Sequence, residues 1–254
     1  MKFIFTKIIL SKIILSAPLL FIVMSCHREQ EPNPCSKLQS TSAAFKMEEK
    51  VGYQDQVRRF EVDTIAAHRN STIFFTAEDS LAEYEWTVGK DPRIYRERSF
   101  SLNFDRAYGN VPVRLIVRKT PNKSCFPYDN GVDTLVKNLN VVPLEQAPIV
   151  GEYEGYNLSD PSRRFTISIT QEGLSNLPGG CFYRISNEIA IGSTALQVYS
   201  STFDPEYGAC SVSGWGVLQQ KNRREIVFEY KYSNDRLSSG SIPSKKDTFK
   251  GIKK

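Results

Sequence analysis

From Ser71 onward, apolar and polar residues alternate with a period of two along most of the chain. Ser71-Thr72-Ile73-Phe74-Phe75-Thr76 is dense in strand-forming residues. In Tyr84-Glu85-Trp86-Thr87-Val88, the side chains of Tyr84, Trp86 and Val88 share one face. Phe100, Leu102 and Phe104 repeat that period. So do Val111, Val113, Leu115 and Val117, with Arg114 and Arg118 on the other face. Leu135, Lys137, Leu139 and Val141 follow an Asp129-Asn130-Gly131 turn signal. No stretch carries a long amphipathic helical period. Short strands separated by turn residues predict an all-β chain, with a sandwich over residues 38–147.

Gln146-Ala147-Pro148 marks a junction, and a second β pattern begins at Ile149. Its expected strands are Gly151 to Tyr156, Phe165 to Thr170, Cys181 to Ile185, Glu188 to Ile191, Ala195 to Tyr199, Val212 to Leu218, Ile226 to Tyr232, and Thr248 to Ile252. About eight short strands in this span suit a small antiparallel β-barrel over residues 148–254.

The Tyr84-Glu85-Trp86-Thr87-Val88-Gly89 segment resembles the Y-x-W-x-x-G core of PKD (polycystic kidney disease) domains. Val111-Pro112-Val113-Arg114-Leu115-Ile116-Val117 is similar to the V-x-V-x-L-x-V strand of that family. The resemblance implies an immunoglobulin-like sandwich used outside the cell as spacer or binding module. Gly89-Lys90-Asp91-Pro92 stands where the family carries G-D-G, so that turn is expected to differ. Trp86 is read as core, because aromatic residues dominate sandwich interiors. In the second half, Gly151-Glu152-Tyr153-Glu154-Gly155 and the closing Phe249-Lys250-Gly251-Ile252-Lys253-Lys254 resemble small lipocalin-like barrels of Bacteroidetes lipoproteins. There the terminal strand closes against the first.

The amino-terminal region has a different character. Lys2, Lys7 and Lys12 accompany an apolar run to Met24, and no acid precedes Glu29, as in a secretory signal over residues 1–25. Val23-Met24-Ser25-Cys26 resembles the lipobox of bacterial lipoproteins, which implies cleavage before Cys26 and diacylglycerol and palmitate-type acylation there. The alternative is an uncleaved membrane helix over Phe3 to Met24, which the three lysines and Pro18 oppose. Residues 26–37 read as a polar tether. The segment after Cys26 also resembles the acidic-leaning export stretch of Bacteroidetes surface lipoproteins, which implies an outer-membrane, surface-exposed address in the cell envelope. Removal of the three lysines lowers the net charge from +5 to +2. Such a balance does not point to nucleic acid as a partner.

With Cys26 lipidated, Cys35, Cys125, Cys181 and Cys210 remain, an even number in an exported chain. Three pairings are open. Keeping each bridge within one folding unit gives Cys35–Cys125 and Cys181–Cys210, and buried thiols are the alternative.

Candidate chemistry is sparse. Histidine occurs only as His27 and His68, and no hydrolase, Walker or metalloprotease motif is present, so no catalytic residue, metal or cofactor is assigned. Glu78, Asp79, Glu83 and Glu85 cluster near one strand, but a solvated strand face gives the same pattern. Asp63, Asp79, Asp129 and Asp133 match no calcium-loop spacing. The informative residues are aromatic: Tyr153, Tyr156, Phe165, Tyr183, Tyr199, Trp215, Phe228 and Tyr230 fall in or near the second set of strands. They either line a roomy pocket or fill the interior as core. The expected protein is a non-enzymatic, membrane-anchored binding module whose partner is a glycan, a peptide, a small apolar ligand or an envelope protein. A structural subunit of an envelope complex and a carboxylate-dependent hydrolase are the alternatives.

Overall fold

The computed structural model describes residues 34–52, 56–67, 71–105, 108–177, 183–184, 189–204, 208–219, 223–235 and 245–254. The signal region, Cys26, His27, His68 and Cys181 lie outside the described residues, as do the side chains of Tyr183 and Cys210. The expected Cys181–Cys210 bridge therefore lies outside them too. Cys35 and Cys125 are disulfide-bonded.

The chain is all-β. Among the described residues the helical element is one 3-10 turn, Leu144–Gln146. The strands are β1 (Phe45–Val51), β2 (Arg58–Glu61), β3 (Thr64–Ala67), β4 (Thr72–Ala77), β5 (Glu83–Val88), β6 (Ser99–Asn103), β7 (Gly109–Arg118) and β8 (Val132–Pro143), then β9 (Gly151–Asn157), β10 (Asp160–Ile169), β11 (Gly173–Ser175), β12 (Tyr183–Arg184), β13 (Ile189–Ile191), β14 (Ala195–Asp204), β15 (Gly208–Leu218), β16 (Glu225–Asp235) and β17 (Lys245–Lys253). Residues Gln39–Lys254 form one compact unit.

Two four-stranded sheets, ordered β2-β1-β4-β6 and β3-β8-β7-β5, enclose the first core. All neighbours in them are antiparallel except β3 and β8. Inward side chains of both sheets meet there: Phe45, Ile73 and Phe75 from one, Trp86, Leu115 and Leu139 from the other. Trp86 is 0 % exposed and packs edge-on against Phe45 at 5.1 Å and Phe100 at 5.4 Å. Its indole N–H donates to the Glu97 carbonyl at 3.0 Å, so a buried polar atom is satisfied. The Asp129-Asn130-Gly131 signal is a tight turn. Asp129 accepts the Gly131 N–H, and Gly131 has φ +79°, where a side chain would collide with the Lys119 carbonyl.

The third sheet has nine strands in the order β12-β11-β10-β9-β17-β16-β15-β14-β13 and curls into a half-barrel. Sequential strands pair except β12 and β13, and β17 pairs back with β9. The ends of the sheet are β12 and β13, so the ring is unpaired between those two among the described residues.

Glycine and aromatic side chains alternate on the inner surface. Gly155 stands opposite Gly251, so close that a Cβ on Gly155 would lie 2.6 Å from the Gly251 Cα. Gly216 stands opposite Phe228 and Gly214 opposite Tyr230. The missing side chains let the sheet bend inward, and the rings of Tyr153, Phe228, Tyr230 and Phe249 cover the bare backbone and fill the concavity.

The sequence pattern located β4 to β10 and most of the half-barrel. It did not locate β1, β2, β3 or the short β11. In β1, Phe45, Met47, Glu49 and Val51 all point inward, and an acid in that register breaks the apolar alternation.

Replacing Trp86 with Ala should remove the centre of the sandwich core and destabilise the protein by about 3–5 kcal/mol. Urea unfolding followed by circular dichroism measures it, and a loss below about 1 kcal/mol would show that Trp86 does not carry the core.

Candidate functional site

Strands β13, β14 and β15 are covered on both faces over residues 190–191, 195–198 and 214–218. Toward the concavity they present Ile191, Leu196, Val198, Val212 and Leu218. From the opposite face, Ala190, Ala195, Trp215 and Val217 pack against Val51 of β1 and Phe60 of β2. Trp215 is 7 % exposed, lies 6.0 Å from the Phe60 ring and has the Arg58 guanidinium 4.6 Å above it. Beside it, Gln197 donates to Gln56 at 3.0 Å. The sandwich thus covers the outer surface of the half-barrel along these three strands. Full burial of each large apolar side chain contributes about 1.5–3 kcal/mol, so the joint is substantial.

A carboxyl sits inside that joint. Glu49 is 1 % exposed. The turn between β13 and β14 reaches it: the Ser193 N–H donates to Glu49 Oε2 at 2.6 Å, and the Ser193 hydroxyl donates to Oε1 at 3.3 Å. The same hydroxyl accepts the Ala66 N–H of β3 at 2.8 Å, and the Ser193 carbonyl accepts the Ile149 N–H at 2.9 Å. One residue of the half-barrel therefore ties together β1, β3 and the segment that links the two parts. Gly192 makes the approach possible, since a Cβ there would lie 2.7 Å from Glu49 Oε2. Burial pushes the Glu49 carboxyl up to about 7, against the opposing pull of the two Ser193 hydrogen bonds. At the rim, Arg223 and Asp63 form an exposed ion pair at 2.5 Å, and that pairing holds Asp63 below the usual carboxylate range.

The aromatic residues singled out from the sequence separate into groups. Tyr153, Phe228 and Tyr230 meet in the half-barrel core, and Phe165 packs at its edge against Phe249 at 4.9 Å. Tyr153 is 0 % exposed and its hydroxyl donates to the Ile149 carbonyl; Tyr230 donates to Asn157 Oδ1 at 2.9 Å. Burial raises both phenols above their ordinary range. Trp215 lies on the other face of the sheet, in the joint. Tyr199 is half-buried on β14, and Tyr156 lies outside the core with Arg164 5.8 Å from its ring. Tyr183 apart, whose side chain lies outside the described residues, the structure does not bring these residues together around one space.

The acids behave as ordinary partners. Asp79 pairs with Lys119 at 2.5 Å and Glu85 with Arg118 at 3.2 Å. Asp129 accepts the backbone N–H and hydroxyl of Thr41, and Asp133 accepts the Ala43 N–H. Among the described residues no three His, Cys, Asp or Glu side chains gather as a metal site. Open surface grooves remain. One of about 640 Å³ lies against β16 and β17, with Ser159, Glu229, Lys231, Lys246 and Asp247 on its walls. A second, of about 590 Å³, runs beside Leu81, Lys119, Pro121 and Val132.

Glu49 and Ser193 were not legible as a site. The signal lies in β1, where an acid occupies the inward register between Met47 and Val51.

Replacing Ser193 with Ala should cost about 1–3 kcal/mol, because it strips a hydrogen bond from both the Ala66 N–H and the Glu49 carboxyl in a buried place. Denaturant titration at pH 6 checks this, and unchanged stability would show that the turn does not hold the joint. No protein-family model, curated protein or solved structure matches the chain.

Proposed function

We propose that the chain is a lipid-anchored, non-enzymatic interaction module of a bacterial cell envelope. In this reading Cys26 carries the anchor, an immunoglobulin-like, PKD-like sandwich follows the tether, and a lipocalin-like half-barrel is presented beyond it. The partner is an extended one — a glycan, a peptide or an envelope protein — held on an outer surface. The supporting observation is the packed interior of the half-barrel, where Tyr153, Phe228 and Phe249 have at most 1 % of their surface exposed. Side chains filling a small curled sheet leave its concavity to core and its outer faces to recognition. The pairing of Asp79 and Glu85 with cations supports an interaction role over a carboxylate hydrolase, which needs two convergent acids in a cleft.

Two measurements test this. The Cys26→Ala chain should move from the membrane to the soluble fraction, and its retention in membranes would remove the lipid anchor from the proposal. The purified mature protein should show no saturable one-to-one binding of 1-anilinonaphthalene-8-sulfonate and should release no stoichiometric apolar molecule on denaturation. Saturable binding that Phe228→Ala alters would return the interior to the role of ligand pocket.

A further inference from the structure

The joint between the sandwich and the half-barrel contains a carboxyl group with no cation beside it among the described residues. The groups facing Glu49 can be named element by element. On β2 its register partner is Phe60, and on β4 it is Ile73. From the half-barrel come Gly192 and Ser193, and beside it on β1 stands Val51. None of these carries charge. The charged residues of the same strands turn elsewhere. Lys50 is exposed on the opposite face of β1. The Arg58 guanidinium lies over Trp215, and that of Arg59 lies 3.9 Å over Phe74. Glu61 is exposed on β2, and Arg223 engages Asp63. Among the described residues, an ionised Glu49 is therefore a buried charge held by two hydrogen bonds and no ion pair, an expensive arrangement.

Ser193 suits both forms of the carboxyl. Facing a carboxylate, its hydroxyl donates to Oε1. Facing a carboxylic acid, it can accept the acid proton while still receiving the Ala66 N–H, since a hydroxyl has two acceptor sites. Protonation thus changes the charge in the joint without displacing a hydrogen-bond partner.

We propose that the seating of Ser193 on Glu49 is a protonation-operated latch: a protonated Glu49 holds the half-barrel against the sandwich, and its ionisation lets the two part along the outer face of β13, β14 and β15. Parting would uncover Trp215, Phe60 and Val51, an apolar surface flanked by Arg58. The direction follows from linkage. The seated carboxyl binds its proton more tightly than an exposed one, whose ordinary value is 4.5. The preference for the seated state is therefore full below that value and fades as pH rises through about 7. Between pH 5 and pH 8 the ratio of seated to parted molecules should fall by roughly one to two orders of magnitude.

The experiment uses the full mature chain. Trp86 is sealed in the sandwich core, so acrylamide quenching of tryptophan fluorescence reports changes at Trp215. Quenching should rise at least about twofold from pH 5 to pH 8 with a midpoint near 7, because a tenfold population change is read for each 1.4 kcal/mol. Glu49→Gln, whose amide imitates the protonated acid, should stay weakly quenched across the range. Hydrogen exchange of residues 190–198, corrected for the intrinsic pH dependence of exchange, gives a second readout and should accelerate in the wild-type chain alone. A flat wild-type profile by both methods, or the same rise in Glu49→Gln, overturns the latch.

Discussion

The burial on two faces of β14 over residues 195–198 and of β15 over residues 214–218 is the constraint from which the rest of the molecule follows. A half-barrel with only its concave side packed would leave Trp215, Val217 and Ala195 in water. The sandwich removes that surface from solvent with the end of β1 and with β2, strands that elsewhere belong to its own sheet. Strand β1 therefore serves two cores in succession: Phe45 and Met47 pack in the sandwich, while Val51 packs on the half-barrel. Its length and register are set by both neighbours. This is why Glu49, between them, has no route to solvent.

Much of the architecture could be read in the residues. Strands with one buried face carry the period of two clearly, so Trp86 and Leu115 were legible as inward positions. The turn at Asp129 to Gly131 was legible because its chemistry is local. Strands buried on both faces, such as β14, lose the alternation, and their second covering face cannot be inferred from one segment alone. Short edge strands, such as β3 with four residues, are fixed by the partner they meet. The parallel pairing of β3 with β8 is a tertiary outcome with no local signature.

The candidate site illustrates the same limit. The aromatic residues of the second half were conspicuous in composition, but composition does not distinguish lining from filling. The neighbouring glycines decide the matter: Gly214 and Gly216 stand opposite Tyr230 and Phe228, and Gly251 leaves room on its own strand for the ring of Phe249. Glu49 was inconspicuous because an acid in a short run of acids reads as surface. Its meaning comes from Ser193, which is far away in the chain and near in space.

The pairing of β9 with β17 bears on how the protein is made. Strand β9 is made before both of its partners: β10 follows at once and satisfies one edge, while β17 comes after every other strand of the sheet. During that interval β9 offers an unpaired row of backbone groups to any neighbouring chain. Its outward positions carry Glu152 and Glu154, so nascent chains that approach edge to edge meet like charges. The acids on this strand thus set like charges beside the open edge of the half-built sheet until β17 covers it.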